Sequence, residues 1–274
     1  MTYDEKLSVI EENLRTAIGY SRKSEAVRRG ALFELAQAVI EIAGDSDDIL
    51  PAAGKVLSGA DRAELAEFSL CVSKYYENTP SLFPAPETAE LPGTVMIPEI
   101  ARLEQALGEF SRRGISLTVE YGDSFAACAE DVEFGRSGYV LLPLMDPEEG
   151  RLGSFDRLRE RYGLKIHAVC SILQDDGSTF SYQLCGLGFP GRSVIAQNRL
   201  SIRSEVTGDG LAYLSAVSVF GAEIISSDLR RAGDKCALSA LFDVGGLHKK
   251  NLWGLLMYLS AGADVEIDGY YAEI

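Results

Sequence analysis

The sequence predicts a multidomain protein of the α+β and α/β classes: a helical bundle over 1–78, a proline-rich linker over 79–93, an α/β lobe over 94–192 and a ferredoxin-like βαββαβ domain over 197–274. Three observations predict this. The first 77 residues carry apolar side chains at helical spacing only. From Thr94 short apolar runs alternate with helical stretches, and from Arg199 the order becomes strand, helix, strand, strand, helix, strand. A chain of 274 residues has room for two or three modules with cores of their own.

In the N-terminal segment, Leu7, Ile10, Leu14 and Ile18 recur at helical spacing, and Val27, Ala31, Leu35 and Ile42 repeat the pattern after Ser24, an expected N-cap. A third helix is expected around Ile49 to Leu57. A fourth starts near Asp61, with Leu65, Phe68, Val72 and Tyr75 on one face. Prolines 80, 84, 86 and 92 then stop the pattern, because each removes a backbone donor and disfavours helix before it. Beyond Thr94 we expect a strand at Val95 to Ile97, a helix from Glu99 to Arg113 and a strand through Ile115, Leu117, Val119 and Tyr121. A helix from Ser124 to Phe134, a strand from Tyr139 to Leu144, a helix from Gly153 to Tyr162 and a strand from Lys165 to Ile172 follow. The βαβ order implies a mainly parallel sheet. In the last segment Leu200 and Ile202 alternate with Ser201 and Arg203, Leu211, Leu214 and Val217 make a helical stripe that Gly221 closes, and a strand with Ile224 and Ser226 opposed to Ile225 and Ser227 leads to a turn at Gly233-Asp234. Cys236, Leu238, Ala240, Phe242 and Val244 mark one face of the next strand. A helix from His248 to Ala261 and an alternating run from Ala263 to Asp268 complete the order.

Composition excludes several functions. The formal charge of −15 opposes phosphate binding, so nucleic acid is not an expected partner. No apolar run approaches the ~20 residues of a membrane helix, and the start of the chain lacks the basic and apolar blocks of a secretory signal, so no membrane partner and a cytoplasmic location are expected. The five cysteines, at 71, 128, 170, 185 and 236, are scattered and never spaced CxxC, which predicts reduced, mostly buried thiols and no structural metal or cofactor.

Several motifs carry a resemblance. Ile97-Pro98-Glu99, Asp123-Ser124-Phe125, the stretch Tyr139 to Pro143 with Gly150, Gly210-Leu211-Ala212, Asp228-Leu229-Arg230 and Asp268-Gly269-Tyr270 occur in the order of the prephenate dehydratase family. The likeness spans Thr94 to Ile274. It implies a periplasmic-binding-protein-like lobe followed by an ACT domain, a βαββαβ module that receives amino acids. The resemblance also implies departures. Ser181-Tyr182-Gln183 falls on the Thr-Arg-Phe motif, so Ser181 keeps a hydroxyl while Tyr182 stands where an arginine would meet a substrate carboxylate, and Met145-Asp146-Pro147 replaces Glu-Asn-Ser. Only Cys170 to Phe180 precede that motif, too few residues for a second lobe, which makes 94–192 a single half-lobe of a truncated, catalytically degenerate relative.

Ser181 is therefore the weak catalytic candidate, and Asp209, Gly210, Leu211, Asp228 and Arg230 are the ligand-binding candidates, at the loop, helix start and strand where such modules receive an amino acid. A tight turn and a sheet-edge ion pair are the plain alternatives for these five. Gly186 to Gly191 matches GxGxxG, but Pro190 and the strand-like segment after it predict a linker. His167 is expected as a hydrogen-bonded core histidine, His248 as solvated, and Asp175-Asp176-Gly177 as a turn. Ser124, Asp146 and Glu149 are expected as a cap and solvated acids. Arg15, Arg28, Arg29 and Gln37 could imitate a chorismate mutase site of bifunctional relatives, but Gly19 to Ser24 breaks the long first helix this requires. The expected function is regulatory or scaffolding, with an amino-acid ligand and a homodimer through the ACT-like domain. The alternatives are a dehydratase whose cleft two chains rebuild, and an interaction module docking through the acidic helical bundle.

Overall fold

A computed structural model of the chain describes residues 23–38, 40, 62–75, 93–189, 197–206, 210–232, 235–261 and 265–274. The expected helices at 7–18 and 49–57 lie outside them. The chain divides into two compact units, one of Met1–Pro80, Ser215–Phe220 and Lys249–Ala261, the other of Ser81–Leu214, Gly221–His248 and Gly262–Ile274. This partition cuts across the segments read from the sequence. Periodicity shows which elements form, but not which partner covers their apolar faces.

The first unit is helical. Residues 23–38 form α1 and Arg62–Tyr75 form α2. Ser24 lies inside α1 rather than before it, and Val27 is 74% exposed while Ala36 is fully buried, so the buried stripe is displaced from the expected one. On α2, Leu65, Phe68 and Val72 are buried as expected, and the partly exposed Tyr75 packs edge-on against Phe33 with ring centroids 4.8 Å apart. Arg28 donates to Glu67 at 3.0 Å between the same helices. The helix Lys249–Ala261 is buried continuously from Trp253 to Leu259 and packs along α2. Gly254 permits that approach, since a Cβ there would stand 2.8 Å from Ser73 Oγ and 3.2 Å from the Phe220 ring.

The second unit is built on one ten-stranded sheet in the order β2-β1-β3-β6-β5-β10-β7-β9-β8, with β4 beside β3. Its first part comprises β1 (Thr94–Pro98), α3 (Ala101–Arg112), β2 (Thr118–Gly122), α4 (Phe125–Glu133), β3 (Tyr139–Asp146), β4 (Gly150–Arg151), α5 (Gly153–Arg161), β5 (Leu164–Leu173) and β6 (Thr179–Leu187). Its second part comprises β7 (Arg199–Val206), the start of α6 (Gly210–Val217), β8 (Glu223–Ala232), β9 (Lys235–Asp243) and β10 (Val265–Glu273); the end of α6, the 3₁₀ turn (Ser218–Phe220) and α7 (Lys249–Ala261) belong to the first unit. No described helix is long and apolar enough to cross a membrane.

Strands β2, β1 and β3 are parallel, as βαβ connections require, but β3, β6 and β5 are antiparallel, so the sheet is mixed rather than mainly parallel. The hairpin at Asp175-Asp176-Gly177 causes the reversal: Asp176 Oδ1 accepts from the Ser178 amide at 2.8 Å, and Gly177 adopts a φ of 82° that favours glycine. Alternate residues of β1 serve the two faces. Val95 and Ile97 join Leu103, Ala106 and Phe110 under α3, while Met96 joins Cys128, Ala129 and Val132 under α4. Strand β3 is accordingly buried without alternation at Val140, Leu141 and Leu142.

The expected half-lobe and the C-terminal βαββαβ segment do not have separate sheets. Strand β10 pairs parallel with β5 and antiparallel with β7, and β10-β7-β9-β8 continue the same sheet with antiparallel neighbours throughout. Gly269 makes the junction possible, because a Cβ would lie 2.8 Å from Ile166 Cβ and 2.9 Å from its carbonyl oxygen. Gly186 sits inside β6, pressed on the Gly138 carbonyl, so the GxGxxG match opens no helix at its first glycine, and residues 190–196 lie outside the described ones.

His167 occupies a register shift between β5 and β6, with Nε2 3.1 Å from the Gly188 carbonyl oxygen and its ring edge-on to Tyr139. Burial holds its pKa down to about 4, against the opposing pull of that carbonyl. The unfolded chain, with an ordinary histidine near ~6.5, therefore binds more protons between these values. Stability from this group is complete above about pH 6.5 and lost as the pH falls toward 4, by roughly 2 kcal/mol between pH 7.5 and 5. Urea midpoints at the two pH values should differ in the native chain and converge in His167→Phe. Gly254→Val should cost about 1–3 kcal/mol by the same assay through overpacking, whereas Gly108→Ala, where a Cβ meets nothing within 4 Å, should be neutral or slightly stabilising.

Candidate functional site

A broad cleft of about 1100 Å³ lies within the second unit, between α5 and one face of the strands β7, β9 and β8. The register explains its floor. Ser201 stands opposite Leu241, Arg203 opposite Ser239, and on β8 Ser226 faces Leu241 and Asp228 faces Ser239. One face of these strands therefore carries serines, Arg203 and Asp228. The other carries Leu200, Ile202, Leu238, Ala240 and Phe242, all buried. The α5 side contributes Ser154, Asp156, Arg157 and Glu160, and β6 contributes Ser181.

The charges in the cleft are mostly committed to one another. Arg151 grips Asp156 through Nε at 2.8 Å and Nη2 at 3.2 Å. Burial would raise the Asp156 pKa, but Arg151 and Arg159 hold it below the usual carboxylate range. Arg203 reaches Asp268 at 2.6 Å, Glu266 at 3.3 Å and Glu160. The Glu266 carboxyl is lowered first by the Lys165 hydrogen bond at 2.8 Å. Beneath the cleft, Arg159 is wholly buried and paired with the equally buried Asp268, Nη2 to Oδ2 at 3.3 Å. Burial alone would lower the Arg159 pKa, yet Asp268 keeps it raised. Its Nε has no hydrogen-bond partner, so the pair is only partly satisfied.

The predicted site residues fall in separate places. Ser181 lines the cleft, and its Oγ lies 2.8 Å from Ser171 Oγ. Asp228 also lines it. Gly210 and Leu211 begin α6, and Asp209 lies outside the described residues. Arg230 pairs with Ala237 along the β8 backbone. Tyr182, next to Ser181, points to the opposite face of the sheet and is buried among the α3-side apolar residues. It borders a second, smaller cleft of about 180 Å³ with Arg102, Phe180 and Asp146, where Arg102 stacks 4.4 Å over the Phe180 ring. Ser124 caps α4 by accepting from the Ala127 amide at 3.2 Å, and Asp146 accepts from the Glu148 and Glu149 amides, so both serve local structure.

Nucleophilic chemistry finds little support in this arrangement. Ser181 touches another neutral hydroxyl rather than a base, and His167 does not line the cleft. Burial pushes the Cys128 thiol up to about 11 and Cys170 and Cys185 up to about 12, which disfavours their thiolates. Among the described residues no group of three His, Cys, Asp or Glu side chains is placed to hold a metal. Sequence reasoning missed Arg151, Asp156, Arg159, Arg203 and Asp268. The usable signal was the polar alternation of Ser201 and Arg203 in β7, which marks a sheet face that is not core.

No protein-family model and no curated protein matches the chain. Solved structures do. The prephenate dehydratase from Streptococcus mutans superposes with a TM-score of 0.52 at 15% identity, over 66% of this chain and 97% of that one. A structure described as GqqA, a novel type of quorum quenching acylase, gives a TM-score of 0.49 at 14% identity over 65% and 94% of the two chains. Prephenate dehydratase in complex with L-Phe from Arthrobacter aurescens gives 0.49 at 11% identity over 65% and 89%. The Streptococcus mutans structure shows that the chain has a prephenate dehydratase-like fold.

The buried pair under the cleft yields a graded test. Asp268→Leu leaves Arg159 with only Asp156, 3.5 Å away, and should cost about 3–5 kcal/mol in urea unfolding. Arg159→Met should cost less, because Asp268 keeps Arg203. The double variant should recover part of the Asp268→Leu loss.

Proposed function

We propose that this chain is a ligand-binding regulatory or scaffolding protein on a prephenate dehydratase-like fold, rather than a dehydratase, with its βαββαβ segment acting as an ACT-like module for an amino acid. The observation that carries the reading is the state of the cleft: Ser181 is bonded to neutral Ser171, and Arg151 and Arg203 are already tied to carboxylates. Prephenate carries two carboxylates, and its dehydration needs a proton donor at the departing hydroxyl. The cleft lining holds three arginines against five carboxylates, so a dianion meets a surplus of negative charge. An amino acid asks less, since one cation, such as the exposed Arg157, and nearby serines suffice for its carboxylate. The antiparallel order β10-β7-β9-β8 with the βαββαβ chain order supports the ACT-like assignment, and Asp228 on the cleft wall is the predicted ligand residue best placed for contact.

One observation keeps the enzyme reading in play. The match spans 97% of the Streptococcus mutans dehydratase chain, which gives no support to a missing lobe. The two readings separate in a thermal-shift panel of amino acids and prephenate, paired with an assay for phenylpyruvate. A ligand that binds the folded state alone stabilises by RT ln(1 + [L]/Kd), about 2.7 kcal/mol at a hundredfold excess over Kd. Stabilisation by an amino acid, weakened in Asp228→Ala, with no phenylpyruvate formed, is the expected result. Turnover at ordinary enzyme rates of ~1 per second or more would establish the dehydratase instead.

A further inference from the structure

The register of the last four strands sets a row of side chains across the floor of the large cleft. Glu266 on β10 stands opposite Arg203 on β7, Arg203 opposite Ser239 on β9, and Ser239 opposite Asp228 on β8. All four line the cleft. Neighbouring strands lie ~4.8 Å apart, so Arg203 and Asp228 are separated by about 10 Å along the row, with Ser239 between them. Helix α5 stands at the Arg203 end, because its Glu160 pairs with that arginine. Arg157 lies one turn earlier on the same helical face, also lines the cleft, is exposed, and forms no ion pair with a described residue.

A free amino acid does not match this spacing. Its ammonium and carboxylate leave one Cα and stand only about 3 Å apart, so it reaches one end of the row and not the other. It is also small for a cleft of about 1100 Å³, since sites of ~300–1,000 Å³ already enclose drug-sized ligands. We infer that the ligand is a short peptide with free termini, about three or four residues long, laid across the strands with its carboxylate at Arg157 and its amino group at Asp228. The inference rests on the amino-acid-binding reading of the cleft and names the form in which the amino acid arrives. An extended chain rises ~3.3 Å per residue, so three residues cover the distance between the two ends. The reverse direction would set carboxylate against carboxylate at Asp228 and ammonium against guanidinium at Arg157, so one orientation is selected.

Between its ends such a ligand is neutral, as the floor requires. Arg203 is shared among Glu160, Glu266 and Asp268, and Arg151 holds Asp156, so a charge in the middle of the cleft would have to break a pair. Hydroxyls are offered instead. Seven serines line the cleft, among them Ser201 and Ser226, which flank Leu241 in the next row of the floor. Each hydroxyl both donates and accepts, which suits peptide units that alternate N–H and C=O.

The test titrates the full chain with alanine, dialanine, trialanine and tetra-alanine by calorimetry, and with pooled amino acids and pooled mixed-sequence tripeptides by thermal shift. Affinity should rise by about tenfold or more from one residue to three. Amidating the C-terminus of the tripeptide should weaken binding by about tenfold in the native chain and leave it unchanged in Arg157→Ala, and N-acetylation should behave likewise with Asp228→Asn. Both positions are exposed, so the urea midpoints of the two variants should stay close to the native one. Amino acids that bind as tightly as tripeptides overturn the inference and leave the amino-acid reading standing. End-blocked peptides that bind as tightly as free ones overturn it too, and binding of neither amino acids nor peptides overturns both.

Discussion

The second unit depends on a buried ion pair set where its sheet changes character. Strand β10 enters between β5 and β7, and a register shift between Ile267 and Gly269 turns Asp268 inward, where it meets Arg159 from α5 and Arg203 from β7. Without the shift, regular alternation would fix the side of the sheet that Asp268 faces; with it, one carboxylate ties a helix of the first half to a strand of the second. Desolvating two charges costs several kcal/mol each and is offset only by close pairing, so the arrangement specifies geometry more than it adds stability. The cleft inherits this geometry. Arg203, held by Asp268, sits on its floor, and Asp156, one helical turn before Arg159, anchors Arg151 at its wall.

Local elements were legible because their signals are local. The alternation of Leu200 with Ile202 and of Leu238, Ala240 and Phe242 marked β7 and β9, and the apolar run at Val140 to Leu142 marked β3 with the burial it has. Pairing was less legible. That β6 would fold back on β5 was implicit in Asp175-Asp176-Gly177, yet the effect of that hairpin on a sheet of βαβ origin depends on which strand β6 meets next. The junction of β5 with β10 joins residues about a hundred apart in sequence, and neither Gly269 nor Ile166 announces it alone. The helix Lys249–Ala261 showed its period but not that it would group with the N-terminal helices.

The candidate site illustrates the same limit. Ser181 and Asp228 were found by motif and line the cleft, whereas Tyr182, read at the place of a substrate-binding arginine, is turned to the other face by strand alternation. A motif carries residue order; the pleat decides which members share a cavity. The ion pairs Arg151–Asp156 and Arg203–Asp268 left no sequence trace, since neither pair has a spacing that helix or strand periodicity would relate.

These constraints bear on what the fold can be asked to do. A cleft in which Arg151 and Arg203 are engaged by its own acids is preorganised for internal cohesion; a ligand that needed Arg203 would have to displace Glu160, Glu266 and Asp268 from it. A ligand that uses hydroxyls and an uncommitted cation at the rim meets no such cost. The serine-lined face of β7, β9 and β8 offers those hydroxyls because its other face already supplies the apolar burial that the strands require. Polar residues on a sheet face are tolerated where it opens to water or a ligand, or where they find hydrogen-bond partners within the core.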